Sequence, residues 1–157
     1  TVIKDQPSEY KQALLELTPG MTVSMRGPVG PFYLKDDASV LFIAGGIGIT
    51  PFRSILKQLE AEGKGKKQIQ LVLVDSDKRQ LFKDELDQLA AQSLVSITYL
   101  DSRDRFKQEM DQIIAPYRKK GKIMLAGPQS MVNQLFVDLT SKRISKNRII
   151  KDSFFGY

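Results

Sequence analysis

Between Val40 and Phe52 an unbroken apolar run, Val40-Leu41-Phe42-Ile43-Ala44, meets Gly45-Gly46-Ile47-Gly48 and passes without a spacer into helical spacing. A run with no polar member is what a parallel strand buried on both faces looks like. Thr50 to Glu62 then carries Phe52, Ile55, Leu56 and Leu59 on one helical face and ends near Gly63.

The same alternation continues. Ile69–Val74, Val95–Leu100, Ile123–Ala126 and Arg148–Ile150 read as further strands. Phe82–Ala91, with Leu81, Leu86 and Leu89 inward, reads as a helix, as do Phe106 to Ile114, stopped by Pro116, and Ser130–Leu139. The fold expected is α/β, a doubly wound five-stranded parallel sheet occupying residues 37–157. Ligands in such sheets sit at the carboxyl ends of the strands, so the turns after residues 44, 74, 100 and 126 are where chemistry is sought. Residues 1–36 read differently. Ser8 to Leu17 is a short amphipathic helix ahead of Pro19-Gly20, Thr22–Arg26 alternates like a half-buried strand, residues 27–31 form a turn cluster, and Phe32–Leu34 adds a short strand.

Composition narrows the chemistry. The 157 residues include no cysteine and no histidine. Disulfides, thiol chemistry, cysteine-ligated clusters, Ser-His-Asp catalysis and His- or Cys-based zinc sites are thereby excluded. No calcium-loop spacing occurs and no metal site is expected, so redox work requires a borrowed cofactor. The net charge is +6, with basic bunches at Lys64–Lys67, Arg118–Lys122 and Lys142–Arg148. These fall at expected turns and lack interleaved aromatics, which reads as solvated loop charge rather than a nucleic-acid platform. The longest apolar run, Val40 to Ile49, is too short for a bilayer, and the first dozen residues lack the apolar core of a secretory signal. Position 1 is Thr rather than Met, which reads as a cut or processed chain.

The glycine turn carries the main functional signal. Gly46, Gly48 and Pro51 spell G-x-G-x-x-P, with Pro51 where the usual dinucleotide fingerprint has a third glycine; no Gly-Lys-Ser/Thr follows, so it is not a P-loop. Glycine allows a sharp bend and lets a pyrophosphate approach with no Cβ in the way, while the helix start offers free N–H groups and partial positive charge. Pro51 sits where its missing N–H costs nothing. The alternative is a tight strand-to-helix turn without a ligand.

Ala44-Gly45-Gly46-Ile47-Gly48-Ile49-Thr50-Pro51-Phe52 resembles the pyridine-nucleotide signature of the ferredoxin–NADP reductase superfamily. In the same order, Gly27-Pro28-Val29-Gly30-Pro31-Phe32 is similar to the end of that family's flavin-binding barrel. Met124-Leu125-Ala126-Gly127-Pro128 with Met131 resembles its fourth-strand motif, and Phe154-Phe155-Gly156-Tyr157 its aromatic tail. The resemblance implies that residues 1–36 are the end of an incomplete flavin-binding β-barrel and residues 37–157 an NAD(P)-binding domain. It implies NAD(P)H as cofactor, FAD in the full-length parent, and three partners: the nucleotide, the parent's flavin domain and an electron acceptor of unknown identity.

Residue roles follow from the same resemblance. Gly45, Gly46, Gly48, Thr50 and Pro51 would line the pyrophosphate and nicotinamide side, Gly127, Pro128 and Met131 the nicotinamide end, and Phe155 the flavin ring. Ala126 stands where many members have Cys, and Asp152, one residue ahead of Ser153, stands near a common Glu; with Phe155 these are the candidate catalytic positions. Ser8 matches a small residue near the flavin pyrophosphate, or is an ordinary helix cap. The flavin-binding Arg-x-Tyr-Ser segment has no match before Gly27. After the second strand, Ser76 with Lys78 or Arg79 suits a 2′-phosphate, whereas Asp75 suits a ribose hydroxyl, so NADH and NADPH stay open. The function implied is nicotinamide positioning for hydride transfer to flavin, with a cytoplasmic location and a parent that membrane segments outside this sequence could tether. Rivals are a stand-alone flavin or ferric reductase using free flavin, and a nucleotide sensor without turnover.

Overall fold

The computed structural model describes residues 8–27, 30, 32–34, 39–63, 68–76 and 81–155, and the chain divides into two compact units, Thr1–Pro31 and Phe32–Tyr157. In the first unit, helix α1 (Glu9–Leu15) starts at Ser8, whose Oγ accepts the Lys11 backbone N–H at 3.4 Å, the capping role among the two read for it. The strand read at Thr22–Arg26 is absent: residues 21–27 take no regular element, and Met21, Val23 and Met25 are exposed. Alternation supplies a strand's faces but not the neighbour that completes its ladder, and a strand without one leaves its backbone groups to water.

Phe32–Leu34 is not a strand either. Phe32 and Leu34 pack half-buried on the core of the second unit, with the Phe32 and Phe52 rings 5.2 Å apart, which is why the division falls before Phe32 rather than at residue 36. From there the order is β1 (Val40–Gly45), a 3-10 turn (Gly46–Gly48), α2 (Ile49–Ala61), β2 (Ile69–Val74), α3 (Lys83–Ala91), β3 (Ser96–Leu100), α4 (Arg103–Ile114), β4 (Lys122–Pro128), α5 (Gln129–Ser141) and β5 (Ile149–Phe154).

The strands form one parallel sheet in the order β3-β2-β1-β4-β5, the doubly wound α/β arrangement expected. Every residue of β1 is buried, as its all-apolar sequence requires of a central strand. Alternate side chains feed two core layers. Leu41 and Ile43 join Val72, Leu125, Phe106 and Val132 on the side of α4 and α5; Phe42 and Ala44 join Leu71, Met124, Phe52 and Leu86 on the side of α2 and α3. Helix α4 begins three residues before Phe106, because Ser102 caps it by accepting the Arg105 N–H at 3.2 Å. β5 runs on through Phe154, so the first residue of the aromatic tail belongs to the sheet, in register with Pro128. Among the described residues no helix is long and apolar enough to cross a membrane.

Candidate functional site

The order of the strands reverses between β1 and β4: the chain leaves β1 toward β2 and β3, then returns to lay β4 and β5 on the other side. Adjacent strands whose chains depart in opposite directions leave a crevice at their carboxyl ends. The Gly46–Gly48 turn and the Gly127-Pro128 end of β4 meet there.

Backbone contact holds this crevice closed at its base. A Cβ on Gly48 would lie 2.2 Å from the carbonyl oxygen of Ala126, and one on Gly45 would lie 2.3 Å from the Met131 sulfur. A Cβ on Gly127, whose φ is +151°, would lie 3.1 Å from the Gly45 carbonyl oxygen. These three glycines are therefore packing residues. Gly46 is different, since its φ is +50° and a Cβ there would meet nothing within 4 Å. Of the glycines in this turn, it is the one that borders open space.

Two helices start beside the crevice without a side-chain cap, although the first N–H of α2, that of Ile49, already donates to the Gly46 and Ile47 carbonyls. Neither α2 nor α5 has a side-chain cap or an acidic residue in its first turn. By contrast, α4 has Ser102 and Asp104, and α3 has Asp84 and Glu85 in its first turn. Uncapped, acid-free starts retain the partial positive charge that favours an anion. Pro51 is the third residue of α2, where no intrahelical N–H bond is lost. The Thr50 hydroxyl donates to the Ile47 carbonyl at 3.0 Å and so braces the turn.

The other sequence-derived residues fall as follows. Pro128 is half-buried at the end of β4, and Met131 is buried in the first turn of α5. Ala126 is fully buried with its methyl in the core. Asp152 pairs with Ala126 in register and has no hydrogen-bond or ionic partner among the described residues; partial burial raises its carboxyl above the ordinary value. Phe155 lies just past β5 and is 72% exposed. Ser76 is exposed in the turn after β2, while Lys78 and Arg79 lie outside the described residues.

Sequence reasoning passed over one group. Phe82, at the start of α3 beyond the β2 turn, has φ +62° and an exposed ring, and the Arg53 guanidinium lies 4.8 Å from the ring centroid. Arg53 is in turn held by Glu85 at 2.8 Å. A bulky residue in the left-handed region is strained, and such strain clusters at functional positions. The only available signal was an aromatic outside the inward set of Leu81, Leu86 and Leu89.

Residues 42–135 match the family model described as the oxidoreductase NAD-binding domain. The chain belongs to this family. One component of the Na(+)-translocating NADH-quinone reductase of Neisseria meningitidis is 35% identical over 88 residues, covering 55% of this chain and 22% of that protein. The toluate 1,2-dioxygenase electron transfer component of Pseudomonas putida is 31% identical over 125 residues, covering 72% of this chain and 36% of that protein. The chain thus spans well under half the length of these relatives. In fold it is similar to the flavohem-like FAD/NAD-binding domain of nitric oxide dioxygenase from Vibrio cholerae (TM-score 0.68, 23% identity, 81% of this chain and 56% of that one). It is likewise similar to the ferredoxin reductase in carbazole 1,9a-dioxygenase (TM-score 0.68, 19% identity, 98% and 47%). The NAD-binding domain is thus ferredoxin-reductase-like in fold.

Proposed function

We propose that this NAD-binding domain is the nucleotide-docking part of a flavin-dependent reductase, and that the crevice between β1 and β4 is its site. The observation that carries this is the pairing of two uncapped, acid-free helix starts, α2 and α5, around Gly46 and its open space. Such a site suits a dinucleotide pyrophosphate, which needs N–H donors and room rather than a counter-charge of its own. Gly46 and the start of α2 bind the pyrophosphate, and Thr50 and Pro51 keep the turn in shape. Gly127 and Pro128 floor the nicotinamide end. Ser76 serves the ribose and the exposed Phe82 ring, plated by Arg53, offers a face for the adenine.

A reduced nicotinamide held there would supply the hydride, and a flavin of the parent protein would be its acceptor. This chain's part is to bind, orient and exclude water. The first unit, residues 1–31, we read as the end of the parent's flavin domain. Relatives whose names describe an NADH-quinone reductase and an electron transfer component support the reading. It places the domain in the cytoplasm, with the reduced nucleotide pool.

Calorimetric titration with NADH and NADPH separately, on the chain and on Gly46→Val, tests the site. The wild type should bind one nucleotide saturably, and the variant at least about tenfold more weakly, with its unfolding free energy lowered by only the ~1 kcal/mol of left-handed strain. Equal binding by both proteins would overturn the site, and no binding of either nucleotide would overturn the reading.

A further inference from the structure

Two of the basic bunches that look like separate solvated loops in the sequence, Arg118–Lys122 and Lys142–Arg148, are one surface in the fold; Lys64–Lys67 lies outside the described residues. β4 and β5 are neighbours, so the connections that precede them, residues 118–121 and 142–148, lie side by side at the amino ends of the strands. Arg148 ties them together: its guanidinium donates to the carbonyls of Gly121 at 2.8 Å and Arg118 at 3.0 Å, and to that of Tyr117. Asp111 of α4 joins the same assembly, accepting from Arg118 at 2.7 Å and Lys142 at 2.9 Å.

Residues 118–121 and 142–148 hold seven cations and no acid. The ends of α4 and α5 supply roughly one unit of negative charge between them, and Asp111 one more, so a large positive excess remains. Lys119, Lys120, Arg143 and Lys146 are exposed and have no ionic partner among the described residues. The turns at the other end of the sheet carry no comparable excess: residues 45–48 are uncharged, and 101–102 hold one aspartate.

We propose that this basic face docks on an anionic lipid surface. Its position opposite the carboxyl ends of the strands separates it from the crevice between β1 and β4, so a dinucleotide bound there would not cover it. Its exposed uncharged side chains, Ser145 and Asn147, offer neither an apolar anchor nor an aromatic platform for bases, and Ile144 is buried. Mobile headgroups need neither, because they rearrange to meet fixed cations, and each Lys or Arg near such a surface adds attraction. Docking in this way turns the crevice away from the lipid and into water.

Flotation of the 157-residue chain with vesicles tests this. It should bind phosphatidylcholine vesicles containing ~30 mol% phosphatidylserine, ignore pure phosphatidylcholine, and dissociate at about 0.5 M salt. Reversing the four unpaired charges (K119E/K120E/R143E/K146E) should weaken binding at least about 100-fold with the unfolding midpoint unchanged. The control R103E/K107E, on exposed positions of α4 away from this face, should retain most of it. No binding to anionic vesicles, equal loss in the control, or retention on duplex DNA or an acidic protein in place of vesicles would overturn the proposal.

Discussion

The two ends of the sheet are built on opposite principles. At the carboxyl ends of β1 and β4, Gly48 and Gly127 lie against backbone and Gly45 against the Met131 side chain, and the turn residues are uncharged. At the amino ends, side chains add to the backbone contacts, with Arg148 gathering three carbonyls and Asp111 collecting Arg118 and Lys142 beside the close approach of Gly121 to Ser39. The first arrangement is tightly packed and leaves two helix starts without side-chain caps or acidic residues, as anion binding favours. The second leaves cations unpaired in water. Neither end is uniform: at the carboxyl end Gly48 and Gly127 are closed in by backbone while Gly46 faces open space, and at the amino end a Cβ on Gly121 would lie 2.6 Å from the Ser39 carbonyl oxygen.

Substitutions at the two ends should therefore differ in kind. The largest effect belongs to Gly48→Val, whose added carbons must displace the Ala126 carbonyl and the Gly127 backbone. It should cost about 3 kcal/mol in denaturant unfolding, and any loss of nucleotide binding in this variant would report folding rather than contact. A midpoint equal to wild type would break the claim that this end is sterically closed. Arg148→Ala should cost about 2 kcal/mol, since it strands partly buried carbonyls, and Arg148→Lys should recover little, because one ammonium cannot span three acceptors. If Arg148→Ala cost no more than Lys120→Ala, the amino-end connections would not depend on a clamp.

The smallest effect sharpens the carboxyl end. Burial raises the Asp152 carboxyl above its unfolded value. Its contribution to stability is therefore fully present below the unfolded pKa, about 3.9, and is lost as the pH rises through the folded-state value. At pH 7 the ionised form opposes folding slightly, so Asp152→Asn should raise the unfolding midpoint a little. The difference should close near pH 3; a gain that persisted there would assign the effect to something other than ionisation.

Much of the architecture was legible because its cause is local. Val40–Ala44 has no polar member, so it could only be a strand covered on both sides, and β1 is such a strand. The helical spacing of Phe52, Ile55, Leu56 and Leu59 put α2 in place; Phe52, Leu56 and Leu59 are buried. Thr22–Arg26 shows the limit. Its alternation is as regular as any in the chain, yet no described strand pairs with it and the segment is irregular. β5 shows the converse: a three-residue signal grew to Phe154 because β4 was there to pair with it.

The site was legible as a motif but not as a division of labour. That a strand would turn on glycines into a helix follows from the residues alone, since only glycine accepts such a bend and the apolar periods on either side are unambiguous. It took the folded chain to show that Gly45, Gly48 and Gly127 serve packing while Gly46 borders open space, and that two distant basic runs form one face around Arg148. A glycine is defined by what stands across from it and a charge by which other charges fold beside it. Both are facts about neighbours far apart in the chain.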